Sequence, residues 1–199
     1  MSEMKLKATH VEIPIVEYTF EEGVKHIRSG DIINFFSSHE ETTIHRFTTE
    51  PILYFTGSKI YHTGVAVEII LDGEKRMMIC ESVGIGRRLL NINWFKDKKM
   101  EVHLRPEYVN QSKVERYMLD YLGEGYAFMK LILIGIREFF GVDAGEGKEG
   151  KKVCSETAAG AWRHGGMEFE TVVLSPGKLR NVLTLKGVPP AFVINADKG

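Results

Sequence analysis

The sequence contains very little cysteine, and that scarcity excludes several classes of protein. Only two of its 199 residues are cysteines, Cys80 and Cys154, and they lie far apart in the chain. Two isolated cysteines form neither a disulfide framework nor the paired C-x-x-C spacing of a structural zinc site. We therefore expect no metal and no cofactor. Reduced thiols are typical of a cytosol-like compartment.

The sequence also lacks a long uncharged apolar run. Its most apolar stretch, YAFMKLILIGIREFF at 126–140, is interrupted by Lys130, Arg137 and Glu138 and is too short to span a bilayer. The beginning of the chain, MSEMKLKATHVEIPIVEY, carries charges where a secretory signal peptide has its apolar core. These features predict a cytoplasmic protein without an integral membrane segment, in which 126–140 forms a buried or interfacial helix.

An excess of charge of either sign is missing as well. Lysine and arginine number 26 against 27 acidic residues, which gives no electrostatic reason to expect a nucleic-acid partner. With 43% hydrophobic residues, the chain is long enough to bury the core of a single domain over 1–199. The Gly/Lys/Glu-rich segment 141–152 predicts a loop. Nothing in these patterns specifies an oligomeric state.

Local patterns predict a mixture of helices and strands. The predicted helices are one at about 20–29, capped by Thr19 and ended by Gly30; one from Asn110 to Gly123; and one that begins at Cys154 and ends at Gly165. DIINFF and MEVHLRP predict strands, and the tail VVLSPGKLRNVLTLKGVPPAFVI predicts one or two short strands broken by prolines. Because no βαβα alternation occurs, we expect an α+β fold with a mostly antiparallel sheet or partial barrel packed against helices.

The clearest predicted pair of elements is a β-hairpin. The β-rich runs KIYHTGVAVEIIL and EKRMMICESVGIG flank Asp72-Gly73, a dipeptide that favours the positive φ angles of a tight turn. A two-residue turn places Gly64 opposite Glu81. His62 then lies one diagonal step from Glu81 on the same face, because side chains alternate along a strand.

These positions suggest a thiol chemistry. Cys154 follows a loop and starts a helix, and a helix N-terminus beside a base favours the thiolate. His62 could serve as that base, and Glu81 could orient its ring. Each residue also has a plain structural interpretation: Cys154 as a small buried hydrophobe, His62 as a packed strand histidine, and Glu81 as a strand-end acid. Cys80, on the face opposite Glu81, is expected to be a core residue.

Five motifs in order, GDIINFF, YHTGVAVEI, ICESVGIG, LGEGYAF and KVCSETAAGAW, resemble the circularly permuted NlpC-type branch of the papain-like cysteine peptidase superfamily. The resemblance covers about 20–180 and leaves the N-terminal extension and the 141–152 loop unmatched. It implies a papain-like fold with Cys154 as nucleophile, His62 as general base and Glu81 as the residue orienting His62. Tyr126 matches the family's tyrosine, and Tyr61 stands where many relatives have serine; both are candidate substrate-binding residues.

The resemblance implies a thiol hydrolase that cleaves an amide bond in a peptide-like substrate through an acyl-enzyme. The backbone N–H of Cys154 is a natural oxyanion donor. Two alternatives stay open. The same permuted fold includes lipid acyltransferases and phospholipases resembling lecithin retinol acyltransferase, which would take an acyl substrate and be retained on liposomes. A non-catalytic binding module would instead have a Cys154 no more reactive than a model thiol.

Overall fold

The computed structural model describes residues 15–37, 58–83, 86–123, 153–169 and 175–196. Three features singled out in the sequence lie outside the described residues: Tyr126, the apolar run 126–140 and the segment 141–152. No helix within these ranges is long and apolar enough to cross a membrane.

A seven-stranded sheet and four α-helices make up the described part of the chain. The strands are β1 (Val16–Tyr18), β2 (Ile32–Phe36), β3 (Ile60–Leu71), β4 (Glu74–Val83), β5 (Gly86–Asn91), β6 (Met100–His103) and β7 (Phe192–Ile194). The helices are α1 (Phe20–Gly23), α2 (Gln111–Asp120), α3 (Cys154–His164) and α4 (Pro176–Leu185), and Val24–His26 and Ile92–Phe95 form 3₁₀ turns.

The sheet order is β1-β7-β6-β2-β3-β4-β5. β1 and β7 pair in parallel, and every other neighbouring pair is antiparallel. The predicted α+β class with a mostly antiparallel sheet is therefore confirmed. β2 and β3 lie in the interior of the sheet, and β3 and β4 form its longest hairpin.

The β3–β4 hairpin has the predicted register. Asp72 and Gly73 have φ angles of 53° and 79°, as a tight primed turn requires. Gly64 pairs with Glu81, and the ladder runs without interruption to the pair Leu71 and Glu74. The face on which each side chain of this hairpin lies was therefore predictable from the turn.

Alternating strand residues divide the core into two layers. Ile32, Val65 and Cys80 pack with apolar residues of α2, α3 and α4 on one face of the sheet. Ile33, Phe35, Ile79 and Met100 pack with Phe20 and Phe192 on the other. Trp162 of α3 is fully buried and donates its ring N–H to Gly30 O at 2.7 Å, which anchors this helix to the turn before β2.

The first helix is shorter than the sequence predicts. Thr19 accepts the Glu22 N–H at 3.4 Å as an N-cap, but the helical segment ends at His26 instead of 29. Long-range and turn hydrogen bonds replace helical ones beyond it: the Arg28 N–H donates to Asp31 Oδ2 at 2.7 Å, and the Gly30 N–H to Ala66 O at 2.8 Å. Gly30 has a φ of 90° and belongs to this turn.

The prediction of strands in the tail is wrong for most of it, because 176–185 forms α4. Ser175 caps this helix by accepting the Lys178 N–H at 3.3 Å, and Pro176 occupies the first turn, where its missing N–H has no helical role. Leu179 and Leu183, one helical turn apart, are fully buried. Within the described part of the tail, 175–194, one short strand is present as predicted, at Phe192–Ile194.

Candidate active site

His62 and Glu81 meet on one face of the β3–β4 hairpin. His62 Nε2 lies 2.7 Å from Glu81 Oε2, and the two side chains are 13% and 2% exposed. The diagonal placement predicted from the turn accounts for this contact. Phe35 on the neighbouring strand packs against the imidazole, and the centroids of the Phe35 and His62 rings are 5.6 Å apart.

The Cys154 side chain reaches the same imidazole. Burial alone would lower the pKa of His62, but negative charge on Cys154 and Glu81, together with the hydrogen bonds that the ring donates to both, raises that pKa to about 10. Because Nε2 is engaged by Glu81, Nδ1 is the ring nitrogen that remains for the sulfur. The structure thus brings together Cys154, His62 and Glu81, the three residues that the sequence singled out.

Cys154 lies at the start of α3, with Val153 as the N-cap. The first N–H groups of a helix have no partner within it and form the positive end of the helix dipole, so they favour a thiolate at this position. Glu156 Oε2 accepts the Val153 N–H at 3.2 Å, which fixes the turn that enters the helix. Cys154 itself is only 2% exposed.

Arg88 is a fourth member of this cluster that the sequence analysis did not identify. It pairs directly with Glu81 across the β4–β5 ladder. Its Nε and Nη2 lie 2.8 and 2.6 Å from Glu81 Oε1. Burial tends to raise the pKa of Glu81, but His62 and Arg88 outweigh that effect and lower it. The carboxylate is therefore held ionised between two cationic groups.

A buried hydroxyl pair attaches α3 to the strand that carries Glu81. Ser82 Oγ and Thr157 Oγ1 lie 2.9 Å apart, and the two residues are 4% and 1% exposed. Thr157 follows Cys154 by three positions in the helix, while Ser82 follows Glu81 directly. This hydrogen bond therefore holds the first turn of α3 beside the acid.

Cys80 is the core residue that the sequence predicts. It is fully buried on the face of the sheet that packs against α2, α3 and α4, and its sulfur lies 3.6 Å from Met118 O. Burial raises the pKa of the Cys80 thiol to about 12. Of the two cysteines, Cys80 is thus held as a neutral thiol.

Of the two candidate substrate-binding tyrosines, Tyr61 lies among the described residues. Tyr61 precedes His62, and its ring centroid is 6.1 Å from that of His62. It is partly buried against the core layer that contains Phe35. Tyr126 lies outside the described residues.

Of the contacts that were not predicted, the one between Glu81 and Arg88 has a local signal in the sequence. Glu81 and Arg88 flank the short glycine-containing segment SVGIGR, so opposite charges could face each other across a second hairpin. The Ser82–Thr157 bond joins residues distant in the chain, and no local pattern predicts it. Among the described residues, no three His, Cys, Asp or Glu side chains are grouped to hold a metal ion.

No protein-family model matches the chain, and no curated protein matches it.

Proposed function

We propose that the chain is a papain-like thiol hydrolase of the permuted NlpC type, which cleaves an amide bond through Cys154, His62 and Glu81. The observation that carries this proposal is the placement of a thiol at a helix N-terminus against an imidazole whose pKa is raised to about 10. A cysteine acts as a nucleophile when its thiolate is stabilised by such a neighbour.

The reaction begins with attack of the Cys154 thiolate on the substrate carbonyl carbon, which forms a C–S bond and a tetrahedral oxyanion. The backbone N–H of Cys154 is the donor that the helix start supplies for this oxyanion. The protonated His62 gives its proton to the departing amine as the C–N bond breaks. An acyl-enzyme thioester remains.

Hydrolysis of the thioester reverses the roles. Neutral His62 takes a proton from water, the hydroxyl attacks the thioester carbonyl, and the C–S bond breaks to return the thiolate and the imidazolium. Glu81 keeps the ring oriented throughout, since Nε2 stays bound to its carboxylate at 2.7 Å. Every proton taken in one half of the cycle is returned in the other.

The choice of an amide over an ester rests on the family resemblance, since the geometry supports acyl transfer to sulfur in general. The lipid acyltransferase alternative depends on the apolar run 126–140, which lies outside the described residues. No described contact favours it. Amide hydrolysis therefore stays the proposal, with a peptide-like substrate.

The experiment that tests this proposal compares the alkylation of the two cysteines by iodoacetamide from about pH 4 to pH 9, read by peptide mass. We expect Cys154 to react faster than a model thiol at the acid end of this range and Cys80 to stay inert in the same molecules. His62→Ala should slow Cys154 about a hundredfold near pH 6, since the thiolate loses its cation.

Substrate class is then tested with a panel of peptidyl aminomethylcoumarin amides and the matching esters. Release of coumarin by the wild type, and its loss in Cys154→Ala but not in Cys80→Ala, would support the hydrolase. A Cys154 that reacts no faster than a model thiol, or equally fast without His62, would instead indicate a non-catalytic module.

A further inference from the structure

Arg88 and its neighbour Arg87 lie next to each other in β5 but have different surroundings. Arg87 is 3% exposed, donates to Tyr117 O at 3.0 Å, and lies over the rings of Tyr117 and Tyr121. The side chain of Arg88 is 41% exposed and binds Glu81. Arg87 therefore attaches α2 to the sheet, whereas Arg88 serves the candidate site.

The contact divides the oxygens of Glu81 between two partners. Both Arg88 donors converge on Oε1, so Oε2 is left for His62 Nε2. A carboxylate bound in this way cannot rotate without breaking charge-assisted hydrogen bonds at both oxygens. Arg88 thereby fixes the direction from which the imidazole is held.

The balance of charges in the cluster gives Arg88 a second role. In the reactive form the cluster holds two anions, the Cys154 thiolate and the Glu81 carboxylate, against one cation on His62. Arg88 supplies the second cation. Without it, one excess negative charge would be buried beside His62, and protonation of the carboxylate or the thiolate would relieve it.

We propose that Arg88 is a positioning residue of the candidate site, which keeps Glu81 ionised and aimed at His62 and so supports the ion pair between His62 and the Cys154 thiolate. This role rests on the proposed function for its consequence at Cys154. Its effect on Glu81 is independent of that function.

The test compares wild type with Arg88→Gln, Arg88→Lys and Arg76→Gln. Arg76 is the matched control, because it is a sheet arginine 44% exposed that pairs with Glu74 at 3.3 Å. In Arg88→Gln we expect Cys154 alkylation by iodoacetamide to need a pH about one unit higher, with an approximately tenfold lower rate on the acid side. Arg88→Lys, which keeps the charge, should shift the profile less.

A second measurement follows the carbon-13 resonance of the Glu81 carboxyl against pH in the same proteins, with thermal melting to confirm folding. Its midpoint should rise in Arg88→Gln and stay unchanged in Arg76→Gln. If Cys154 is unreactive in the wild type, the hydrolase proposal fails while the Glu81 midpoint still decides the role of Arg88. An Arg88→Gln protein with an unshifted Glu81 midpoint would overturn the role proposed here, as would an equal shift in Arg76→Gln.

Discussion

Two clusters of one glutamate, one histidine and one arginine lie on the sheet, each built around a buried glutamate. The site cluster is Glu81, His62 and Arg88; the second cluster, which we call the β6 cluster, is Glu101, His103 and Arg180. In both, the glutamate is almost fully buried, at 2% and 1% exposed, and the arginine is partly exposed, at 41% and 37%. In both, histidine Nε2 contacts a carboxylate oxygen, at 2.7 and 3.1 Å.

The clusters differ in the group that faces the other ring nitrogen. His103 Nδ1 lies 3.0 Å from Val188 O, a backbone carbonyl just beyond α4, and the residue is fully buried. His62 Nδ1 is left for a thiol at a helix N-terminus, and its ring is partly exposed. A buried Glu-His-Arg set is therefore not a site by itself. The thiol placed against the imidazole makes the difference.

The β6 cluster is also more extensively hydrogen-bonded. Arg180 Nε donates to both oxygens of Glu101, at 2.9 and 2.8 Å. Asn34 donates to Glu101 Oε1 at 3.3 Å and accepts from Thr63 at 2.8 Å. This network joins α4 to three strands of the sheet. We infer that the β6 cluster stabilises the fold, whereas the site cluster arranges a reactive group.

The largest effect that we expect from this contrast is on stability. His103→Ala should lower the free energy of unfolding by about 3 kcal/mol, because it leaves a cavity and removes the partner of the buried Val188 carbonyl. His62→Ala should cost only about 1 kcal/mol, because its site is partly exposed and Glu81 keeps Arg88. Urea denaturation measures both. Equal losses in the two variants would contradict the distinction between the clusters.

The second prediction concerns the titration of His62, followed by NMR of its ring. In the wild type the imidazole should keep its proton through neutral pH and lose it only as the pH rises through about 10. Amide cleavage should decline over the same rise, since the proton donor is lost.

Replacing the thiol sharpens that prediction. In Cys154→Ala the His62 midpoint should fall by more than about one pH unit, because a negative charge and a hydrogen bond that raise it are removed. Cys80→Ala is the control and should leave the midpoint unchanged. A His62 midpoint that is the same with and without the Cys154 sulfur would argue against an ion pair.

The two clusters are alike in their dependence on pH, because both should lose part of their stabilising effect in acid. Burial tends to raise the pKa of Glu81 and of Glu101, but hydrogen bonds and charge from their histidine and arginine partners lower both. Such groups stabilise the fold above the ordinary carboxyl pKa of 4.5, and the contribution is lost as the pH falls through the lower folded value.

Glu81→Gln and Glu101→Gln should therefore each flatten the fall in stability below that pH, by about 1 kcal/mol. The measurement is the free energy of unfolding in urea at a series of acidic pH values. If only Glu101→Gln changed the slope, the Glu81 carboxylate would not be held by His62 and Arg88 in solution.

The sequence predicted the parts of the site that depend on local geometry. Asp72-Gly73 determines the hairpin register and hence the shared face of His62 and Glu81, and the start of α3 places Cys154 at a helix N-terminus. No local pattern relates Cys154 to the hairpin, because that contact depends on the packing of α3 on the sheet. The family resemblance supplied the connection, and the structure shows the contact.

The sequence patterns gave wrong predictions where a long-range contact or a helix cap decides the structure, as in the first helix and the tail. The first helix ends early because the backbone is extended at Ile27 and the Arg28 N–H donates to the Asp31 carboxylate instead of to a helical carbonyl. α4 was missed because its Val, Leu and Thr residues resemble a strand, although Ser175-Pro176 is a helix start signal. The β6 cluster takes its acid and its histidine from one strand and its arginine from α4, so no local pattern predicts that the arginine meets the acid.

The most local effect that we expect comes from the Ser82–Thr157 hydroxyl pair. Ser82→Ala or Thr157→Val should each cost about 1 kcal/mol, because each leaves a buried hydroxyl without its partner. The double variant should cost less than the sum, and a double-mutant cycle in urea measures the coupling. Because the pair holds the first turn of α3 beside Glu81, we expect the single variants also to slow Cys154 alkylation several-fold near pH 6. If stability fell while Cys154 reactivity stayed the same, this hydrogen bond would serve the fold alone, as we infer for the β6 cluster.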